Sequence, residues 1–301
     1  MAQKTCIIIA GPTGVGKTSL AVSLARKFST SIISADSRQC FRELTIGVAK
    51  PSPEQLAAVK HYFIDTHSLT EPVSAGLFEA YALQAVTEIF RESDVAIVAG
   101  GTGLYIRAFC EGMDPIPAVA PHWRDQISAG YATGGLRWLQ QQVEVLDPGW
   151  LQSGEVQNPH RLMRALEVVM ATGKSIRSFQ SASPVQRHFR IIKIALGLPV
   201  PALYRQINER TDRMMQDGLV AEARGLLPFR NLPALQTVGY TELFDCFENN
   251  GSIGDATALI SQHTRNYAKR QLTWFRKDAN FTWFSPFEYE LVSAYLTTFM
   301  K

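Results

Sequence analysis

Residues 11–18 read GPTGVGKT, preceded by the apolar run TCIIIA (5–10) and followed by SLAVSLARKF (19–28), whose apolar positions recur at helical spacing. The eight residues fit G-x-x-x-x-G-K-[ST], a phosphate-cradling loop between a strand and a helix. Gly11, Gly14 and Gly16 let the backbone turn without a Cβ clash, so successive N–H groups can face one anion. Pro12, Thr13 and Val15 complete the loop. A helix starting near Thr18 adds the positive end of its dipole. Lys17 brings a point charge to the phosphates, and the Thr18 hydroxyl is a candidate ligand for Mg²⁺. The alternative is a Gly-rich turn with no ligand; a strand on one side and a helix on the other weigh against it. The loop predicts a bound polyphosphate without saying whose.

Outward from this stretch the chain alternates strand and helix. CIIIA, SLAVSLARKF, SIISAD, the helical FEAYALQAVTEIFRE and VAIVAGG have the rhythm of a parallel sheet covered by helices. At Asp114 the pattern changes. DPIPAVAP is Pro-rich, and WRDQISAGYATGGLRWLQQQVEVLD and PHRLMRALEVVMATG read as helices with no strand between them. IIKIALGL (191–198) then regains strand character and is expected to rejoin the sheet; helices follow it. The fold class predicted is α/β, a P-loop NTPase-like parallel-sheet core with a helical insertion domain. The core is assigned to residues 1–113 and 189–301, the insertion to 114–188.

Whole-chain properties restrict the function less than they restrict the class. With 301 residues, 46% hydrophobic and 19% charged, the chain reads as an ordinary globular protein. No apolar run approaches a membrane span, and the start MAQKTCIIIAGPT enters the loop directly, so neither a membrane partner nor a signal peptide is expected and the cytoplasm is the expected compartment. Cys6, Cys40, Cys110 and Cys246 lack the paired spacing of a zinc site and are expected to be reduced. The net charge of +3 names no partner. A monomer is expected.

Candidate chemistry gathers at strand ends. SADSRQ places Asp36, Ser37, Arg38 and Gln39 just past the second strand, where open parallel sheets bind ligands. Asp36 there could hold Mg²⁺, accept a proton from a nucleophile, or simply cap the next turn. VAGGTGLYIRAF puts Gly100, Gly101, Thr102 and Gly103 at the same edge, either as a wall of the ligand site or as a turn that permits close packing. In the insertion, Asn158 and Pro159 start a helix whose Leu162, Leu166 and Val169 form an apolar stripe. Arg161 and Arg164 then face outward, as a phosphate-binding or merely solvated face. From Ala256 to Lys277 there is no acidic residue, while Arg265, Lys269, Arg270, Arg276 and Lys277 alternate with Tyr267, Trp274 and Phe275. That composition suits looped RNA; it also suits a packed aromatic stripe, and Trp274 or Phe275 is expected to point inward. Arg210 and Arg213 lie one turn apart, either reaching a phosphate or pairing with Glu209 or Asp212. His61, His67, His160 and His263 form no ligand pair, so no catalytic metal beyond Mg²⁺ is expected.

A small-molecule kinase is the first class the loop suggests. The surplus chain, however, is basic, aromatic and helical, and no strand ends in the paired acids of an ATPase motor. A third class is a loop that binds diphosphate as a leaving group while the group it carried passes to a nucleic acid.

GPTGVGKT, SADSRQCFRELTIGVAKPS, HYFID, VAGGTGLYIRAF, NPHRLMRALEVVMATGKS, LQTVGYTEL and RNYAKRQLTWFR together resemble, in order, the motifs of the bacterial tRNA dimethylallyltransferase (tRNA isopentenyltransferase) family, from about residue 6 to residue 277. The resemblance implies transfer of a dimethylallyl group from dimethylallyl diphosphate to N6 of the adenosine 3′ to the anticodon (A37) in tRNAs reading codons that start with U. It implies a loop that holds diphosphate rather than ATP. It matches Arg210 to a diphosphate-contacting arginine and Asp36 to the aspartate that serves as general base, with Lys17 and Thr102 also in the catalytic set. It matches Ser37, Arg38, Gln39, Thr102, Gln157, Asn158, Pro159, His160, Arg161, Thr237, Gly239 and Tyr240 to tRNA-contacting positions, with Arg124, Lys269 and Arg270 added as basic contacts. Gly14-Val15 stands where family members often carry Ala-Ser, and Cys40-Phe41 where a β-branched residue and Tyr are frequent. A free-nucleotide isopentenyltransferase would have little use for the basic helix, and an RNA-binding regulator would not require Asp36.

Overall fold

The computed structural model describes residues 3–152, 155–180 and 183–300. The chain divides into two compact units, residues up to Gly112 together with Gln186 onward, and Met113–Val185 between them.

In the first unit the strands are β1 (Thr5–Ala10), β2 (Ile32–Ser34), β3 (His61–Tyr62), β4 (Val95–Ala99), β5 (Arg190–Leu196) and β6 (Thr282–Phe284). They form one parallel sheet in the order β3-β2-β4-β1-β5-β6. β1 lies inside, with Ile7 opposite Ile97 of β4 on one edge and Ile192 of β5 on the other. Its residues are wholly buried because both faces are covered: Cys6, Ile8 and Ala10 join one apolar layer, Ile7 and Ile9 the other. A strand buried on both sides must read as an unbroken apolar run, as TCIIIA does. IIKIALGL rejoins the sheet as β5, as its composition predicts. The edge strands β3 and β6 are additions to the expected four; at two and three residues they are too short for a period to register.

The helices of this unit are α1 (Lys17–Lys27), α2 (Pro53–Ala58), α3 (Ala75–Ile89) and α4 (Gly103–Glu111), then after the insertion α8 (Val200–Gln216), α9 (Leu219–Leu226), α10 (Tyr240–Glu248), α11 (Ile253–Arg276) and α12 (Tyr289–Thr297). In the second unit, α5 (Pro121–Leu146), α6 (Pro148–Leu151) and α7 (Pro159–Thr172) enclose a separate apolar core. α5 is broken at Gly135, whose φ of 60° is non-helical, within the ATGG stretch. Leu162, Leu166 and Val169 are buried against Ile127, Leu139 and Val143, which is the stripe expected of α7.

The exits of β2 and β4 are stitched together by backbone. Ala35 N donates to Ala99 O at 2.8 Å, and Thr102 N donates to Ala35 O at 3.1 Å. The approach is close enough that a Cβ on Gly100 would fall inside the Ala35 peptide. Gly100→Ala is therefore expected to destabilise the first unit by about 1–3 kcal/mol and to displace the neighbouring Asp36. Thermal unfolding and the activity of the remaining folded protein check both effects.

Candidate functional site

The phosphate loop leaves β1 at the middle of the sheet and enters α1 directly. Gly11, Gly14 and Gly16 have φ of 143°, 81° and 96°, and Gly16 is the left-handed residue that starts the helix. No side chain caps α1, so its first N–H groups remain available to an anion. Lys17 folds back over the loop, its Nζ donating to Pro12 O at 2.8 Å. Burial lowers its pKa to about 7; Asp36 opposes that shift and Arg210 adds to it. Arg210, on α8, is also held below its ordinary value by burial, with Asp36 opposing. The Arg210 guanidinium makes no hydrogen bond or ion pair among the described residues. Two cations disfavoured by burial beside uncapped helical amides form a site that seeks an anion.

Asp36 stands one residue beyond Ala35 at the exit of β2. Its Oδ1 accepts the Arg38 N–H at 2.9 Å, so the capping role is real, and the same carboxylate lines the site. Thr102 Oγ1 accepts the Ser37 N–H at 3.1 Å, fixing the turn that presents Asp36. Gln39 is occupied within the protein: its Oε1 accepts from Ser34 Oγ at 2.9 Å and its Nε2 donates to Ala49 O at 3.0 Å.

Two cavities meet here. The smaller, about 80 Å³, is lined by Lys17, Thr18, Gly100 and Gly101 among others. The larger, about 580 Å³, is lined by Arg38, Thr237, Gly239, His263 and Arg270 among others. Thr13, Asp36, Val48, Arg210 and Tyr267 border both, so the carboxylate and the unpaired guanidinium stand at the junction. The small chamber, bordered by two buried cations, suits a small polyanion, and the large one can take a bulkier polar partner.

Helix α11 forms one side of both cavities. Arg270 lies over Tyr267, 5.7 Å from the ring centre, and Lys269 lies 5.6 Å from that of Tyr204. Phe275 is buried, as expected for one of the two terminal aromatics, while the Trp274 indole covers Gly103. Tyr240 requires a correction. Its side chain is fully buried, and its hydroxyl donates to Glu222 Oε1 at 2.5 Å, which rules out contact with a partner in this conformation. Glu222 also accepts from the amides of Thr45, Ile46 and Gly47, so Tyr240 helps anchor the 45–50 segment whose Gly47, Val48 and Ala49 line the cavities.

The candidates in the insertion lie within the second unit. Asn158 caps α7, its side chain accepting from Arg161 N at 3.3 Å, and Pro159 follows as the first helical residue. Gln157, His160 and Arg161 are exposed, with Arg161 paired to Glu155. Arg124 is not a free surface cation: its Nε sits 2.9 Å from the buried Glu167 carboxylate, which Arg164 also engages at 2.8 Å. These bonds hold Glu167 below the usual carboxylate range against its burial, the largest single influence.

Sequence reading gave no role of their own to Gln271 and His263. Gln271 bridges Thr13 and Gly101, and Glu242, within the 237–242 block, binds His263 Nδ1 at 2.6 Å on the wall of the large cavity. An amide among basic residues carries no local signal, and the Glu-His pair is 21 residues apart.

The described residues hold no cluster of three or more His, Cys, Asp or Glu side chains that could bind a metal, and none of their helices is long and apolar enough to cross a membrane. Comparison with known proteins extends the geometry. The family model for IPP transferase matches residues 39–278. A tRNA dimethylallyltransferase of Cytophaga hutchinsonii is 43% identical over 98% of this chain and 97% of its own length. That of Christiangramia forsetii is 46% identical over 92% of each chain. The crystal structure of the full-length tRNA isopentenylpyrophosphate transferase of Bacillus halodurans superposes with a TM-score of 0.73 at 31% identity, covering 99% of this chain and 97% of that one. With a family model over residues 39–278 and relatives matched at this identity along nearly the whole chain, the chain belongs to the IPP transferase family.

Proposed function

We propose that this protein transfers the dimethylallyl group of dimethylallyl diphosphate to N6 of A37 in tRNAs that read codons starting with U, releasing diphosphate. The observation that carries the reading is the junction: Asp36 and Arg210 border both a small cationic chamber and a large polar one. Diphosphate sits in the small chamber against the loop amides, Lys17 and Arg210. The allylic carbon lies at the junction, and the adenine of A37 enters from the large side.

The amine at N6 is a poor nucleophile because its lone pair is delocalised into the ring. Its attack forms the N–C bond while the allylic C–O bond breaks, and the bonding pair leaves with diphosphate. Lys17, Arg210 and the loop N–H groups stabilise that developing charge. Asp36 takes the proton that N6 loses as the new bond forms. Thr102 holds the Ser37 turn and so aims Asp36. The target base must leave its stack, at a cost of a few kcal/mol, offset by Arg38 and by contacts from Thr237, Gly239 and Arg270.

Mg²⁺ suits the small chamber, because the Thr18 hydroxyl lines it and makes no hydrogen bond among the described residues. Thr18 and the diphosphate oxygens would hold the ion. When bound, the ion neutralises charge on the departing diphosphate. The compartment this reading implies is the cytoplasm.

The test uses labelled dimethylallyl diphosphate with Mg²⁺ and either unmodified tRNA carrying A36-A37 or free AMP. Label in the tRNA alone is the expected result. Label in AMP alone would assign the protein to the free-nucleotide enzymes, and ATP hydrolysis with label in neither would return the loop to kinases and NTPases.

The basic helix carries its own expected result. Lys269→Glu with Arg270→Glu should weaken tRNA binding and reduce the slope of log affinity against log salt by about 1–2. Filter binding between low and moderate salt measures it; an unchanged slope would place the RNA elsewhere.

A further inference from the structure

The phosphate loop and the glycine turn after β4 are joined by one side chain. Gln271 Oε1 accepts the Thr13 N–H at 2.8 Å, and its Nε2 donates to Gly101 O at 2.8 Å. The residue is 6% exposed, and a Cβ on Gly101 would collide with its Nε2, so the turn carries glycine where the amide must pass. Both partners are remote in sequence, 258 and 170 residues away. The adjacent positions on α11 do something different. Asn266, Tyr267 and Arg270 line the large cavity, and Tyr267 also borders the small one. One turn further on, Trp274 lies against Gly103 of the same glycine turn.

From this arrangement we infer that Gln271 is a positioning residue that couples occupancy of the large cavity to the geometry of the diphosphate site. The inference rests on reading the large cavity as the RNA site and the small one as the diphosphate site. α11 is a single 24-residue helix, so Arg270 and Gln271 move as neighbours on one rigid rod. RNA that fixes Tyr267 and Arg270 thereby fixes the amide, and the amide sets Thr13 and Gly101, which both line the diphosphate chamber. A buried amide with both ends bonded tolerates little displacement, since a shift would leave a backbone N–H and a carbonyl without partners. By reciprocity, diphosphate in the small chamber tightens RNA binding by the same factor.

The experiment measures the affinity of inorganic diphosphate with Mg²⁺ for the full chain, with and without a saturating unmodified anticodon stem-loop. In the wild-type protein the RNA should raise that affinity about fivefold or more. Gln271→Met keeps the length of the side chain but neither hydrogen bond. It should bind the stem-loop alone with unchanged affinity, bring the ratio to about one, and raise the KM for tRNA at saturating dimethylallyl diphosphate about fivefold. Gln271→Glu retains an acceptor for Thr13 N–H but sets an oxygen against Gly101 O, and should also lose the ratio; it carries the test if the methionine variant does not fold. A residue with only a structural role would lower the melting temperature and leave the ratio intact, and a wild-type ratio in either folded variant overturns the inference. So does a ratio of one in wild-type protein that binds the stem-loop. Wild-type protein that binds no stem-loop overturns the reading of the large cavity, and this inference with it.

Discussion

Asp36→Asn is expected to lower the rate of transfer by about 10²–10⁴, with tRNA affinity nearly unchanged. Asparagine can keep the bond to the Arg38 N–H, which needs only an acceptor oxygen, so the turn after β2 survives while the proton acceptor is lost. Asp36→Ala removes both and should add a loss from misplacement of Ser37 and Arg38. Single-turnover transfer with the variant pre-bound to tRNA separates chemistry from binding. Full activity in Asp36→Asn would sink the assignment of Asp36 as base.

Lys17→Met should be comparably damaging, by about 10²–10³ in transfer, and it carries a distinct pH signature. In the ligand-free protein Lys17 has its pKa lowered to about 7, chiefly by burial. An anion in the chamber favours the charged form and raises that pKa. Above about pH 7, diphosphate binding must therefore take up a proton, and affinity falls as pH rises until the pKa of the complex is reached. Calorimetry at pH 8 in two buffers of different ionisation enthalpy should show uptake approaching one proton in the wild type, with that contribution missing in Lys17→Met. The stability of the ligand-free protein runs the other way. A lysine whose folded pKa is depressed is destabilising wherever it is charged in the unfolded chain. The penalty is fully present below about pH 7 and fades as pH rises toward 10.5. Lys17→Met should accordingly melt higher than wild type at pH 7 without ligand, and gain less than wild type from added diphosphate.

How much of this was legible in the sequence depended on whether the deciding contacts were local. GPTGVGKT declares itself because the strand, loop and helix that give it meaning are contiguous. The same holds for Asp36 at the end of SIISAD and for the stripe Leu162, Leu166 and Val169. Tyr240 looked like a contact residue because it stands in LQTVGYTEL, yet its register at the start of α10 turns it toward Glu222, and no period decides that over one turn. Arg164 read as part of a basic face with Arg161, and Arg124 as a basic contact, because their common partner, Glu167, lies 43 residues from Arg124 and three from Arg164. Only an acid beside the apolar stripe hinted at it. Gln271 was invisible for the same reason: its role is defined by Thr13 and Gly101, not by its neighbours.

The strand order also bears on which part of the site is lost first when the fold loosens. β1 has hydrogen-bonded neighbours on both edges, so its amides can exchange with solvent only when the sheet itself opens. β2, which delivers Asp36, is separated from open solvent on its outer edge by a strand of two residues. Fraying from that edge reaches Asp36 while the loop between β1 and α1 is still intact. The partially open forms of this protein are thus expected to retain diphosphate and to have lost the means of using it, so catalysis should fail at milder denaturant than ligand retention does.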